Sequence, residues 1–206
     1  MSTRNVYLFV FDTLADWEAP YAIAGINSPE GQRQPGTFQV RTVATGPGLV
    51  TTAGGVRIQP DLTLGELNVG AGEMLILPGG TTWDEGKNME AVETAKTVLA
   101  SGGAVAAICG ATAGLARGGI LDNRQHTSNA REYLEATQYK GGALYQDEAA
   151  VTDGAVITAS GTAPIEFAYN IFRHLDLYPD DVLEAWYGLF KTGKPEFFAA
   201  LQKAQA

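Results

Sequence analysis

The chain has 206 residues, of which 45% are hydrophobic and 18% are charged, and its formal net charge is −9. These globular proportions exclude a disordered chain, and the length suits one domain. No long basic cluster occurs, so a nucleic-acid partner or an anionic membrane surface is not expected, because phosphate binding draws on clustered Lys and Arg. This charge balance is compatible with a small-molecule ligand, including an anionic one.

The start of the chain and its cysteine content indicate the compartment. Residues 1–5 lead straight into a strand-like run, without the apolar region and cleavage site of a secretory signal. No apolar stretch approaches the ~20 residues of a membrane helix. The single cysteine, Cys109, cannot form an internal disulfide, and one Cys with two His is a poor set for a structural zinc site. We therefore expect a soluble cytoplasmic protein without a metal.

Two periodicities alternate along the chain. Short apolar runs, typical of strands buried on both faces, are followed by segments with helical spacing. The first helix is predicted to begin near Asp16, with Asp16 as its N-cap. The predicted strands lie at 6–11, 38–44, 50–52, 56–58, 73–77, 104–108 and 155–158, and the later helices at 89–101, 110–117, 164–175, 180–190 and 195–203.

This alternation predicts a mainly parallel sheet of about six strands, covered by helices on both faces and joined by right-handed crossovers. The segments 50–52 and 56–58, separated by two glycines, are expected to form a hairpin. We predict one three-layer α/β/α sandwich domain over residues 1–178, with a helical extension at 179–206 packed on it. Ligands of such sheets bind beyond the carboxyl ends of the strands.

The strand predicted at 104–108 ends in the segment with the clearest chemistry. Cys109 follows this run of small apolar residues, and Gly110 opens the next helix. A nucleophile elbow has this order, because a strained strand-to-helix turn exposes the reactive side chain and small neighbours let the backbone bend. The positive end of the helix is expected to lower the pKa of the thiol from ~8.5. A buried, inert cysteine is the alternative interpretation.

Two other strand ends carry candidate groups. Glu18 follows the first strand, in the predicted first turn of the next helix. Its carboxylate could act as a base, and a buried protonated carboxyl could instead donate a hydrogen bond to a thiolate; a solvated acid at a helix N-terminus is the alternative. Gly80, after the strand at 73–77, could bring a bare amide to a developing oxyanion opposite the amide of Gly110, although Gly-Gly is also a common turn.

Together these segments resemble the ThiJ/PfpI superfamily, the family of the parkinsonism-associated protein deglycase, which has a flavodoxin-like, class I glutamine amidotransferase-like fold. The resemblance spans residues 5–175 and is carried by segments 11–18, 75–80, 106–112, 126–129 and 159–167. It implies that Cys109 is the reactive cysteine, that Glu18 is its partner acid, and that Gly80 and Gly110 provide the oxyanion-hole amides. Thr112, His126 and Asp16 are weaker supporting candidates. The resemblance also implies a homodimer.

The chain departs from the family pattern at two positions. Amidotransferase and protease-like relatives have His directly after the nucleophilic Cys, whereas this chain has Gly110, so a triad built on that His is absent. His126 cannot simply replace it, and we expect its ring to hydrogen-bond within the loop 126–129. The isocyanide hydratase branch usually has Asp at the position of Glu18, which disfavours that lyase activity.

Two functions of different classes follow from the resemblance. In the first, Cys109 adds to a small reactive carbonyl or glycation adduct, Glu18 moves the proton, and water releases a hydroxy acid without a cofactor. In the second, the protein is a stress or redox sensor whose Cys109 is oxidised to a sulfinic acid held by Glu18. One chemical environment serves both functions, so the sequence does not separate them.

Overall fold

The computed structural model describes residues 3–204, and the apolar runs of the sequence form its strands. Residues 6–9 of the first strand are all buried, as expected for a strand covered on both faces. The strands are β1 (Arg4–Phe9), β2 (Phe38–Ala44), β3 (Val50–Thr51), β4 (Arg57–Ile58), β5 (Leu62–Thr63), β6 (Met74–Leu77), β7 (Ala104–Ile108), β8 (Ala150–Asp153) and β9 (Val156–Ala159).

Seven of these strands form one sheet in the order β5-β2-β1-β6-β7-β9-β8. All neighbours are parallel except β8 and β9, which pair antiparallel at one edge. Strands β3 and β4 form a separate antiparallel hairpin, as predicted. The central strands β6, β7 and β9 are buried along their whole length. The predicted mainly parallel α/β sheet is therefore confirmed.

Helices flank the sheet in two groups. The helices are α1 (Pro20–Asn27), α2 (Met89–Ala100), α3 (Gly110–Arg117), α4 (Arg131–Glu135), α5 (Pro164–His174), α6 (Asp180–Thr192) and α7 (Pro195–Ala204). One group contains α1, α5, α6 and α7, and the other contains α2, α3 and α4. Between residues 3 and 204, no helix combines the length and the apolar character that crossing a bilayer requires.

The sheet differs from the prediction at its edges. It has seven strands instead of about six, because β5 is only two residues long and β8 is partly exposed, which leaves little periodic apolar signal. The first helix begins at Pro20 and not near Asp16. Proline at the first helical position explains this start, since its fixed φ suits the helix and its missing N–H would have had no partner there. The domain boundary at residue 178 stays a prediction, and residues 1–2 and 205–206 of the two predicted segments lie outside the described residues.

A buried tryptophan joins helix α3 to the loop after β6. Trp83 is fully buried, donates a hydrogen bond from its indole to the Pro78 carbonyl at 2.8 Å, and packs edge-on against Phe11. A Cβ atom added at Gly114 would lie 2.3 Å from Cζ3 of this indole ring. Glycine at position 114 therefore lets α3 lie directly against Trp83, which fixes the helix beside the loop that follows β6.

We predict that Gly114→Ala destabilises the fold by about 1–3 kcal/mol, because the added methyl group overpacks against the Trp83 ring. The free energy of unfolding in urea measures this effect. Gly65→Ala is the matched control, because a Cβ there has no neighbour within 4 Å. Equal stability of both variants would contradict the packing role of Gly114.

Candidate active site

Cys109 occupies a strained turn between β7 and α3. Its backbone has φ 58° and ψ −125°, a conformation that non-glycine residues rarely adopt. The turn is fixed on both sides: the Cys109 N–H donates to the Ala159 carbonyl at 3.0 Å, and the Thr112 hydroxyl donates to the Cys109 carbonyl at 2.6 Å. Ser128 holds that hydroxyl at 2.6 Å. The strained strand-to-helix turn predicted for an elbow is present, and the Thr112 hydroxyl stabilises it through its hydrogen bond to the Cys109 carbonyl.

Glu18 is fully buried although it is an acid. It lies in a turn just before α1, and not in the first helical turn as predicted, because the helix begins two residues later at Pro20. Its Oε2 accepts a hydrogen bond from the Gly79 N–H, whereas Oε1 has no hydrogen-bond partner within residues 3–204. Burial raises the pKa of Glu18 to about 7, in the predicted direction.

Gly79 brings the carboxyl and the thiol together. A Cβ atom at this position would lie 2.7 Å from Cys109 Cβ and 2.9 Å from each carboxyl oxygen of Glu18. Any side chain at position 79 would collide with both groups. Glycine is therefore required for the acid and the cysteine to share one buried space.

The thiol does not have the lowered pKa that the helix end predicted. Burial and then the Glu18 carboxylate raise the pKa of Cys109 to about 11, while hydrogen bonds from Asn129 and the Gly110 backbone lower it. The prediction was wrong because the enclosing protein and the facing acid outweigh the helix end. The two groups titrate as a pair, and between about pH 7 and about pH 11 the pair holds one proton.

A cavity of about 220 Å³ opens over the cysteine. Gly80 and Gly110 line it, and within residues 3–204 neither backbone N–H donates to a protein oxygen. The Gly80 amide has no acceptor among the described residues, and the Gly110 amide donates only to the Cys109 sulfur, so both could turn to an oxyanion formed in the cavity. The lining residues are Thr13, Ala15, Trp17, Glu18, Ala53, Gly80, Thr81, Asp84, Cys109, Gly110, Asn129 and Tyr133.

Asp16 has a structural role different from the predicted N-cap. The residue before α1 is Ala19, and no side chain caps that helix. Asp16 instead accepts hydrogen bonds from the Thr52 hydroxyl at 2.5 Å and from the Gly54 N–H at 2.6 Å. It thereby anchors the hairpin of β3 and β4 at the edge of the cavity, next to Ala53.

The chain is similar to known proteins over nearly its whole length. The model of the DJ-1/PfpI family matches residues 4–174. The chain belongs to the DJ-1/PfpI family. It is 44% identical to the uncharacterized protease YoaZ of Bacillus subtilis over 98% of this chain and 97% of that protein. A thiJ/pfpI family protein from Bacillus anthracis has a crystal structure with 43% identity and a TM-score of 0.94, covering 100% of this chain and 98% of that one. The glutathione-independent glyoxalase DJR-1.2 of Caenorhabditis elegans is 29% identical over 68% of this chain and 75% of that protein.

His126 of this DJ-1/PfpI protein does not line the cavity. It is fully buried, and its two ring nitrogens contact the Arg124 carbonyl at 2.7 Å and the Tyr139 hydroxyl at 2.8 Å. The prediction of ring hydrogen bonds within the loop 126–129 is therefore wrong, because both partners of the ring lie outside that loop. Burial also lowers the pKa of His126, so the neutral ring is favoured.

Several cavity residues were not among the predicted site residues. Asn129 lies 3.3 Å from the Cys109 sulfur, and Tyr133 donates a hydrogen bond to Asp84 at 2.5 Å across the cavity. Asn129 lies in a segment that carried the family resemblance, but only the folded chain brings it to the sulfur. Among the described residues, no group of three or more His, Cys, Asp or Glu side chains could hold a metal ion.

The raised pKa of Glu18 predicts a pH-dependent stability. Glu18 titrates near its ordinary 4.5 in the unfolded chain but at about 7 in the fold, so its contribution to stability is full below about pH 4.5 and is lost as the pH rises through about 7. Glu18→Gln cannot ionise. We expect its free energy of unfolding, relative to the native sequence, to increase by up to about 3 kcal/mol across this range.

Urea unfolding at about pH 4.5, 6 and 8 measures this difference. The exposed Glu132→Gln is the control, because it changes the net charge equally but lies on the surface of α4. A constant difference between the Glu18 variant and the native sequence at all three pH values would contradict the prediction.

Proposed function

We propose that this protein is a cofactor-independent cysteine enzyme that converts small neutral 2-oxoaldehydes, such as methylglyoxal, into 2-hydroxy acids. The observation that carries the proposal is the buried Glu18 carboxyl beside the partly buried Cys109 thiol, in a cavity lined by Gly80 and Gly110. The named activity of the C. elegans relative, a glutathione-independent glyoxalase, supports the same reaction class. Glycation adducts of the same aldehydes are related substrates.

The first step is the addition of sulfur to the aldehyde carbon. Glu18 as carboxylate takes the thiol proton of Cys109 while the sulfur–carbon bond forms and the carbonyl π electrons move to oxygen. The N–H groups of Gly80 and Gly110 then hydrogen-bond this oxyanion. A base with a pKa of about 7 suits this transfer at neutral pH.

The second step moves hydrogen within the bound substrate. Glu18 first gives the thiol proton to the oxyanion, which leaves a neutral hemithioacetal and restores the carboxylate. The carboxylate then takes the proton of the former aldehyde carbon and delivers it to the oxygen of the neighbouring carbonyl, which gives an enediol. Finally it takes the proton of the first hydroxyl and delivers it to the second carbon, which leaves a thioester of the 2-hydroxy acid on Cys109. The first carbon is oxidised and the second is reduced, so no external oxidant or cofactor is needed. Water then cleaves the thioester, and the Cys109 thiol is regenerated.

The lining of the cavity favours neutral substrates. It contains the acids Glu18 and Asp84 and no Lys or Arg, so a substrate carboxylate has no cationic partner there. The volume of about 220 Å³ admits a small aldehyde, with the remainder of a larger adduct outside. A peptidase mechanism is less well supported, since none of the lining residues is a histidine that could protonate a leaving amine.

We predict that the purified protein forms lactate from methylglyoxal and that kcat/KM rises with pH through about 7, as Glu18 ionises. Cys109→Ser should lower the rate by at least about a thousandfold, and Glu18→Gln by about a hundredfold or more. Coupled lactate detection measures both effects. A 2-oxoaldehyde that carries a carboxylate, such as 4,5-dioxopentanoate, should be consumed at least about tenfold more slowly than methylglyoxal.

Glu132→Gln serves as the activity control and should keep the native rate. Failure to form lactate, combined with ready peroxide oxidation of Cys109 to a sulfinic acid, would contradict the enzymatic proposal and favour the redox function. Mass spectrometry of the intact protein reads out that oxidation.

A homodimer stays a prediction of the family resemblance. Light scattering at micromolar concentration tests it, and a monomer there would contradict it.

A further inference from the structure

The side chain of Asn129 is fixed at both ends beside the reactive sulfur. Its Oδ1 accepts a hydrogen bond from the Gly161 N–H at 2.9 Å, and its Nδ2 lies 3.3 Å from the Cys109 Sγ. A backbone N–H can only donate, so the amide oxygen must face Gly161. The NH₂ group therefore faces the sulfur, and the orientation of this amide is determined by its partners.

Gly161 is itself held close to the cysteine. A Cβ atom at this position would lie 2.8 Å from Cys109 Sγ and 3.3 Å from Asn129 Oδ1, so only glycine lets the backbone pass between the two groups. On its other side, the Gly161 carbonyl accepts a hydrogen bond from the Trp17 indole at 3.2 Å. Trp17 lines the cavity entrance and is 58% exposed. A chain of hydrogen bonds thus runs from Trp17 through Gly161 and Asn129 to the sulfur.

From this geometry we infer that Asn129 is the side-chain donor that stabilises the anionic sulfur of Cys109, with Gly161 and Trp17 as positioning residues. An N–H donor binds an anionic sulfur more strongly than a neutral thiol, because hydrogen bonds to charged groups are the stronger ones. The sulfur carries this negative charge when Glu18 removes its proton and again when water cleaves the thioester. The inference rests on the proposed use of Cys109 as nucleophile and does not depend on the identity of the substrate.

Asn129 counteracts the two features that oppose a thiolate. Burial and the facing carboxylate both disfavour negative charge on Cys109, whereas the Asn129 side chain and the Gly110 backbone favour it. Gly110 supplies a fixed backbone amide from the start of α3. Asn129 supplies the second donor from a different loop, so the sulfur is held from two directions without any positive charge in the cavity.

The test is the rate of iodoacetamide alkylation of Cys109 as a function of pH in the native protein and in Asn129→Asp. The aspartate keeps the size of the side chain and an acceptor for the Gly161 N–H, but it has no donor for the sulfur. We expect alkylation at pH 7 to fall by roughly tenfold, with the whole profile displaced to higher pH. Because the new carboxylate also opposes a thiolate by its charge, the neutral variant Asn129→Ala decides the inference, and an unchanged profile in Asn129→Ala would contradict it.

Asn27→Asp is the matched control, since the Asn27 oxygen also accepts a backbone N–H, from Val40 at 3.0 Å, far from the cavity lining. Its alkylation profile should equal that of the native protein. Asn129→Ala is the second variant, and it should displace the profile in the same direction. Circular dichroism establishes that each variant is folded.

The outcomes separate this inference from the proposed function. A reactive Cys109 whose alkylation profile is unchanged in the neutral variant Asn129→Ala would overturn the role of Asn129 while leaving the proposed enzyme intact. A displaced profile without any lactate formation would support the role of Asn129 and contradict the choice of substrate.

Discussion

The site depends on one constraint: a buried carboxyl and a partly buried thiol lie side by side against Gly79, which has no side chain. Atoms of Glu18 and Cys109 lie within 3 Å of the position that a Cβ atom of residue 79 would occupy, and glycine leaves that space empty. The Gly79 N–H also donates a hydrogen bond to one carboxyl oxygen of Glu18. Removing both groups from water raises both pKa values, to about 7 and about 11. The acid becomes a base suited to neutral pH, and the thiol keeps its proton until that base accepts it.

Packing and hydrogen bonds around the site stabilise Glu18 and Cys109 in positions that desolvation and backbone strain disfavour. Cys109 has a strained backbone, and its turn persists because the Ala159 carbonyl and the Thr112 hydroxyl hold it from both sides. Trp83, packed against Gly114, fixes the helix whose first amide faces the cavity. The cost of strain and desolvation is thus offset by packing and hydrogen bonds outside the reacting groups.

The sequence predicted the parts of this arrangement that depend on local order. The apolar runs gave the central strands, and the small residues around Cys109 gave the elbow, because both follow from neighbouring residues. The hairpin contact of Asp16 and the buried setting of His126 depend on long-range contacts, so the sequence misplaced them. The prediction of a lowered thiol pKa was wrong for the same reason. The residues next to Cys109 reveal the start of a helix, but they do not reveal the Glu18 carboxylate that faces the sulfur in the fold. The helix start at Pro20 follows from a local signal, the preference of proline for the first helical position, which the assignment of Asp16 as N-cap overrode.

The raised pKa of the thiol bears on the choice between an enzyme and a redox sensor. Oxidation by peroxide follows the thiolate fraction and the exposure of the sulfur, and redox-sensing cysteines are accessible thiols of low pKa. Cys109 is partly buried and its pKa is about 11, so its resting thiolate fraction at neutral pH is small. An enzyme tolerates this condition, because Glu18 accepts the proton only as the substrate carbonyl arrives. The same burial that slows indiscriminate oxidation therefore favours a nucleophile that becomes active when a substrate fills the cavity.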